Sequence, residues 1–83
     1  MAFHCDIVTP DREVFQESVT GVILPAHDGQ VGILTGRAPM LVKLGSGTLT
    51  AHTTGGDRTF NISGGVAQMK DNKLTVLTEK ASE

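Results

Sequence analysis

The feature that most constrains this chain is its division into short stretches of alternating apolar and polar residues. Turn-forming residues separate these stretches at intervals of about 8 to 12 residues. An alternation with a period of two places successive side chains on opposite faces of an extended strand. No stretch carries apolar residues at the three-to-four-residue spacing of an amphipathic helix. The pattern therefore predicts an all-β protein.

Nine short strands can be placed along the sequence. They are residues 3–8, 14–19, 21–24, 30–34, 41–44, 48–53, 59–63, 66–70 and 73–78. In the first, Phe3, Cys5 and Ile7 share one face, so Cys5 is predicted to be a small buried residue. A flat sheet cannot bury its apolar face alone, so we expect one domain over residues 1–83. Its predicted fold is a compact, mostly antiparallel β-sandwich of two sheets, or a flattened barrel, with about 8–10 short strands.

Two hairpins are predicted from their turn residues. Asp71 and Asn72 tolerate positive φ better than most residues, so they are predicted to form a two-residue turn. That register would place Met69 opposite Leu74 on one apolar face. A second hairpin is predicted within TAHTTGGDRTFNI, residues 50–62, where the paired glycines 55 and 56 would form the turn.

Several other glycines are predicted to shape the backbone. Within HDGQVGILTGRAPM, Gly29, Gly32 and Gly36 fall where the chain would turn, tolerate a close neighbour and leave the strand again. Gly64 and Gly65 are predicted to form a further turn before the last hairpin. This pair does not lead from a buried strand into a helix, so it lacks the setting of a phosphate-binding loop.

Charge and composition exclude several classes of function. The formal net charge is −2 and the lysines and arginines are scattered singly, so nucleic acid is not an expected partner. No apolar stretch approaches the roughly 20 residues that span a bilayer, so we expect neither direct lipid insertion nor a signal sequence. The three histidines and the single cysteine lack the spacing of a zinc site, and the aspartates are spread over separate turns and strands. We therefore expect no catalytic residue, no metal and no cofactor.

Three longer segments carry a family resemblance when they are taken in order. IVTPDREVF, VTGVILPAHDGQVGILTGRAPMLVKLGSGTL and FNISGGVAQMKDNKLTVLTE resemble the N-terminal β-sandwich domain of the epsilon subunit of the rotary F-type ATP synthase, called delta in mitochondria. The resemblance runs from about residue 3 to residue 79. Its most specific part is the linked set of GQVGIL, GRAPML directly after it, and SGG before the last hairpin.

The resemblance implies a non-catalytic subunit of the central stalk, which binds the gamma subunit and the ring of c subunits. Such a subunit helps couple ion-driven rotation of the ring to ATP synthesis. The resemblance also implies a peripheral position on the cytoplasmic face of a bacterial inner membrane, or on the matrix or stromal face in an organelle. The residues that match the c-ring contact of the family are Asp28, Gly29 and Gln30. The residues that match its gamma contact are Arg37, Ala38, Pro39, Met40 and Leu41.

The sequence departs from the family pattern in a few places. Many relatives have an acidic residue where this chain has Gln30, a histidine where it has Arg37, and a proline where it has Thr35. Most members continue into a C-terminal domain of two helices, whereas this sequence ends at TEKASE. We therefore expect no such helical domain, no inhibitory helix and no nucleotide site.

Two alternatives remain open beside the rotor interpretation. Lipoyl and biotinyl carrier domains are β-sandwiches of about this length that present one lysine at a hairpin tip, and Lys73 follows the Asp71-Asn72 turn. The surrounding KDNKL lacks the acidic or Met-Lys motif of those carriers. An uncharacterised β-sandwich adaptor is the other alternative, because a fold does not by itself fix a function.

Overall fold

The computed structural model describes residues 2–34 and 39–83, and these residues form eight strands. The strands are β1 (Phe3–Val8), β2 (Glu13–Val19), β3 (Gly21–Ala26), β4 (Gly29–Ile33), β5 (Met40–Thr53), β6 (Gly56–Lys70), β7 (Lys73–Leu77) and β8 (Ala81–Ser82). Within these two ranges no helix is long and apolar enough to cross a membrane. The predicted all-β class is confirmed, and the eight strands lie within the predicted number.

The strands form one hydrogen-bonded network in the order β2-β1-β7-β6-β5-β3-β4, with β8 beside β6. Strands β1 and β7 pair in parallel, and the other pairs are antiparallel. The predicted antiparallel character is therefore confirmed, with one parallel contact that the sequence pattern did not reveal.

Two long strands run through the whole network. Strand β5 has 14 residues and β6 has 15, and they pair from Met40 opposite Met69 to Thr53 opposite Gly56. Near Met69 this ribbon continues into β7, β1 and β2, which we call the first layer. Towards Thr53 it is flanked by β3, β4 and β8, which we call the second layer. The prediction that 41–44 and 48–53, and likewise 59–63 and 66–70, are separate strands was wrong, because each pair is joined into one.

The core lies between the two layers. Phe15 of the first layer and Phe60 of the second pack edge to face, with 5.2 Å between ring centroids and an angle of 61° between ring planes. Phe3, Cys5 and Ile7 are buried in the same core, as the alternation along β1 predicts. Apart from the phenylalanines the core is mainly aliphatic, so its stability depends on close packing of branched side chains.

Gly64 and Gly65 lie inside β6 and do not form a turn, so that prediction was wrong. Their φ angles are 63° and 109°, a region that favours glycine, and they bend β6 where it passes from one layer to the other. A Cβ atom on Gly65 would overlap the carbonyl oxygen of Leu77. The close approach of β7 therefore also leaves no room for a side chain at residue 65.

The same bend affects β5 at its contact with β3. The register of the pair shifts between Ile23 and Ala26, so that residues 45–49 of β5 lie opposite only Leu24 and Pro25. A Cβ atom on Gly47 would lie 3.0 Å from Cβ of Pro25. Pro25 has no backbone N–H and cannot donate a hydrogen bond to β5. The register shift between β3 and β5 therefore falls where the hydrogen-bonded pairing is interrupted in any case.

Gly32 was predicted to be a turn residue that tolerates a close neighbour, and both parts were wrong. It lies within β4, and a Cβ atom there would have no other atom within 4 Å. Gly36, with the same kind of prediction, lies outside the described residues.

The two predicted hairpins are present, one of them shifted. Among the described non-glycine residues only Asp71 and Asn72 have positive φ, 52° and 63°, and Met69 lies opposite Leu74 as predicted. In the other hairpin the turn is formed by Thr54 and Gly55. The predicted turn was therefore one residue too late there, because the next glycine already pairs with Thr53 as the first residue of β6.

Candidate protein-binding site

The first predicted contact is the tip of the β3–β4 hairpin, which we call the tip (Asp28, Gly29 and Gln30). All three residues are exposed, and Gly29 has a φ of 139°, which an L side chain rarely adopts. The backbone N–H of His27 donates to the carbonyl oxygen of Lys43 over 2.8 Å. The tip is thus attached to β5 and presents polar groups and bare backbone to the outside.

The second predicted contact is the beginning of β5, which we call the β5 start (Pro39, Met40 and Leu41). Met40 is 40% exposed and Leu41 71% exposed, a large apolar area for the surface of so small a protein. Leu41 points outward, whereas Met40 lies on the inner side of the strand and is covered in part. A shallow groove of about 400 Å³ runs from these residues to Asp71 in the β6–β7 turn.

The fold brings the tip and the β5 start to the same end of the molecule. His27, the residue before the tip, is bonded to Lys43, and Met40 lies three residues earlier along the same strand, a separation of about 10 Å at the usual rise per residue. Arg37 and Ala38, the other two predicted gamma contacts, lie outside the described residues. The structure therefore places six of the eight predicted contact residues, and all six are exposed.

The β6–β7 turn lies beside the β5 start and is fixed in place by the N-terminal end of the chain. The side chain of Asn72 donates to the carbonyl oxygen of Ala2 over 3.2 Å, and the backbone N–H of His4 donates to the carbonyl oxygen of Asn72 over 3.1 Å. The β6–β7 turn beside the β5 start is therefore fixed by hydrogen bonds to β1 and to the residue before it.

A buried carboxylate with two exposed partners lies close to this turn. Asp6 is only 7% exposed, and its carboxylate lies 2.6 Å from Nε2 of His4 and 3.2 Å from Nζ of Lys73. The cluster was missed at the level of sequence because it depends on the parallel pairing of β1 with β7, which has no local signal. Its consequence is that the amine of Lys73, the residue of the carrier alternative, is held in an ion pair.

Among the described residues, neither a reactive thiol nor a metal-binding cluster lies at this surface. Cys5 has no exposed surface, and burial, with a smaller effect of the Asp6 charge, raises the pKa of its thiol from 9.0 to about 12. The thiol is therefore protonated at neutral pH and cannot act as a nucleophile. Over residues 2–34 and 39–83, no three histidine, cysteine, aspartate or glutamate residues come together as a metal site. The tip and the β5 start offer exposed area for contact.

Comparison with known proteins gives a consistent picture. The model of the family described as "ATP synthase, Delta/Epsilon chain, beta-sandwich domain" matches residues 2–83. The ATP synthase epsilon chain of Rhodopirellula baltica is 40% identical over 81 residues, which cover 98% of this chain and 63% of that protein. The chain thus spans about three fifths of the length of the curated relatives it matches.

Two solved assemblies contain chains of the same fold. One belongs to the mitochondrial ATP synthase of Euglena gracilis, solved as OSCP, F1 and c-ring. It matches with a TM-score of 0.88 and 25% identity, over 98% of this chain and 52% of that one. The other belongs to the central stalk and c-ring of the Tetrahymena thermophila mitochondrial ATP synthase. It has a TM-score of 0.79 and 15% identity, over 96% of this chain and 65% of that one.

Proposed function

Because the chain belongs to the ATP synthase delta/epsilon chain family, as its β-sandwich domain, we propose that it acts as a non-catalytic subunit of the central stalk of an F-type ATP synthase. In this role it binds the gamma subunit and the c-ring and joins them into one rotor. Ion-driven rotation of the ring is then coupled to ATP synthesis elsewhere in the complex. The subunit is held at the membrane by its partners, on the cytoplasmic side in bacteria or the matrix or stromal side in organelles.

The observation that supports this proposal is that the exposed residues of the tip and of the β5 start lie at one end of the sandwich. The tip is polar and narrow, which suits the polar loops of a membrane-embedded ring. The β5 start is apolar and exposed, which suits a protein partner that covers Met40 and Leu41. The His27–Lys43 hydrogen bond joins the residue before the tip to β5, two residues after the β5 start, so one domain could contact both partners at once.

The test is a binding measurement of the 83-residue chain against purified gamma subunit and detergent-solubilised c-ring, each taken separately. Leu41→Asp should weaken binding to gamma, because it places a charge in an apolar contact. Asp28→Lys should weaken binding to the c-ring and leave gamma binding unchanged. Leu41 is a better position than Met40, because its side chain is 71% exposed and that of Met40 only 40%.

Thr54→Asp is the matched control, since Thr54 is an exposed turn residue at the far end of the β5–β6 ribbon. It should bind both partners as the unaltered chain does. A folded chain that binds neither partner would contradict the proposal. A mass increment on Lys73 after expression in cells would then favour the carrier alternative.

A further inference from the structure

The tip contains a pair of residues that can react with each other. Of all the aspartates and asparagines in the sequence, only Asp28 is followed by a glycine, Gly29. In such a pair the backbone nitrogen of the glycine can attack the side-chain carboxyl carbon of the aspartate, because no side chain on the second residue obstructs the approach. Whether this reaction occurs in a folded protein depends on how firmly the backbone is held on either side.

The structure leaves space around both residues of the pair. Asp28 and Gly29 are exposed, and a Cβ atom on Gly29 would have no other atom within 4 Å. Gly29 has a φ of 139°, a region that glycine enters readily and other residues rarely adopt. The peptide group between the two residues therefore keeps a freedom of rotation that a larger second residue would remove.

The backbone on the Gly29 side is held at the end of a ladder. Gly29 and Ala26 form the last pair of the β3–β4 hairpin. Among the described residues β4 pairs with β3 alone, because it is the last strand of the network. The hydrogen bond that attaches the turn to β5 comes from the backbone N–H of His27, on the other side of Asp28. Since amides at the ends of ladders open at the lowest free energy, the Gly29 nitrogen is available by local fraying.

The β6–β7 turn is the natural comparison, because Asp71 is also an exposed turn aspartate. The residue after it is Asn72, whose side chain donates to the carbonyl oxygen of Ala2 over 3.2 Å. The carbonyl oxygen of Asn72 accepts a hydrogen bond from the backbone N–H of His4 over 3.1 Å. The backbone that follows Asp71 is thus fixed at two points and carries a side chain, whereas the backbone that follows Asp28 ends a hairpin and carries none.

We propose that Asp28 is a site of spontaneous isomerisation to isoaspartate. The Gly29 nitrogen forms a bond to the side-chain carboxyl carbon of Asp28, and the carboxyl hydroxyl leaves with the amide proton as water. The product is a five-membered succinimide ring. Water then adds to one of the two ring carbonyl carbons and breaks its bond to nitrogen. Opening at the side-chain carbonyl restores aspartate, and opening at the main-chain carbonyl gives isoaspartate, with no redox change and no net change in mass.

Isoaspartate would change the shape of the tip and keep its charge. The main chain then runs through the former side chain of Asp28, so it becomes one carbon atom longer, and the carboxylate moves to the former main-chain carbon. The longer turn no longer matches the pairing of Ala26 with Gly29. The modification itself does not depend on the proposed function, but under that function it would alter the surface that we expect to contact the c-ring.

The experiment measures isoaspartate in the whole chain after several weeks at neutral pH and physiological temperature, with and without urea. A protein isoaspartate methyltransferase and labelled S-adenosylmethionine give its amount, and electron-transfer fragmentation of the peptides gives its position. At Asp28 the folded chain should isomerise about as fast as the unfolded chain, because the fold leaves this pair free. At Asp71 the folded chain should isomerise several-fold more slowly than the unfolded chain.

Two variants test the chemistry at the tip. Asp28→Glu is the matched control, since it keeps the carboxylate and the glycine but would need a six-membered ring, so residue 28 should not isomerise. Gly29→Ala should slow isomerisation several-fold in the unfolded chain, where its unfavourable φ in the fold has no effect. Circular dichroism establishes that the unaltered chain and Asp28→Glu are folded without urea. Isoaspartate at residue 28 in urea but not in the folded chain would show that the fold protects the pair, and would overturn the inference.

A binding measurement separates this inference from the proposed function. The isomerised chain, purified from the unaltered one by chromatography, should bind the c-ring several-fold more weakly. Equal binding would count against Asp28 as a c-ring contact, while the modification site would stand. If the unaltered chain binds neither gamma nor the c-ring, the proposed function fails, and isoaspartate at residue 28 of the folded chain would still support the inference.

Discussion

Cys5 occupies a position on β1 where its thiol has no contact with solvent, and its raised pKa has a consequence for stability. Its thiol has a pKa of about 12 in the folded protein, against 9.0 for an unperturbed group, because burial disfavours the thiolate. Above pH 9 the thiol ionises in the unfolded chain but stays protonated in the folded one. The contribution of Cys5 to stability is therefore fully present below pH 9 and is lost as the pH rises towards 12.

We predict that this loss can be measured by urea unfolding at a series of pH values. Between pH 9 and pH 11 the free energy of unfolding should fall with a contribution from Cys5 of up to about 1.4 kcal/mol per pH unit. Cys5→Ala has no ionisable group at this position, so its stability should fall less steeply over the same range. Parallel curves for the two proteins would show that the thiol ionises equally in both states.

Gly65 and Gly32 differ in their need for glycine, and a pair of alanine substitutions should show this. Gly65→Ala places a Cβ atom against the Leu77 carbonyl at a φ of 109°, so it should lower the free energy of unfolding by more than about 2 kcal/mol. Gly32→Ala has open space and an ordinary φ, so its stability should be unchanged or slightly higher. Thermal unfolding of both variants gives the comparison, and equal melting temperatures would contradict it.

At the scale of elements, Arg58 connects strands from both layers. Its guanidinium carbon lies 5.4 Å from the ring centroid of Phe15 and 5.7 Å from that of Phe60. Its nitrogens reach Glu17 on β2 over 3.3 Å and Glu83, just after β8, over 2.7 Å. The carboxylates are about half exposed, so these ion pairs contribute little to stability, whereas the stacking covers the edge of the aromatic core.

We therefore expect Arg58→Ala to cost more than the loss of either ion-pair partner. Arg58→Ala should lower the free energy of unfolding by about 1–2 kcal/mol, because it uncovers both rings. Glu17→Ala and Glu83→Ala should each cost less than about 0.5 kcal/mol. Urea unfolding of the three variants decides this, and a larger effect for a glutamate than for the arginine would assign the stabilisation to charge.

The individual elements show which parts of the fold a sequence can predict. Strand β1 and the β6–β7 turn were predicted correctly, because alternation and the positive-φ preference of Asp71 and Asn72 are local signals. The continuity of β5 and β6 was not predicted, since residues 45–47 and 64–65 were placed between separate strands. Glycine weakens a strand locally, but pairing along almost the whole ribbon outweighs that weakness.

The short strand β8 depends on tertiary contacts for its existence. Thr78 is buried, and its hydroxyl donates to the carbonyl oxygen of Ser63 over 3.2 Å, which holds the end of the chain against β6. A two-residue strand has too little sequence for any periodic signal. In the candidate site, likewise, the tip and the β5 start could be located by resemblance. The Asp6–Lys73 pair could not, because it requires knowledge of which strands are neighbours.

For the whole molecule, the sharing of β5 and β6 between the layers predicts a single cooperative unfolding transition. Neither layer can unfold without breaking the ribbon that the other requires. Native-state hydrogen exchange should therefore give similar opening free energies for amides in β1 and in β3. The chain lacks tryptophan and tyrosine, so circular dichroism would follow the global transition. This expectation would be contradicted if the amides of one layer had clearly lower opening free energies than those of the other layer.

The continuity of β5 and β6 also determines how the domain responds to mechanical load. In a sandwich whose layers are joined only by loops, a force that slides one layer over the other is opposed mainly by side-chain packing. Here such a force must also stretch two polypeptide strands that run without interruption from one layer into the other. In the rotor role that we propose, torque applied at the tip would reach the opposite face with little internal shear.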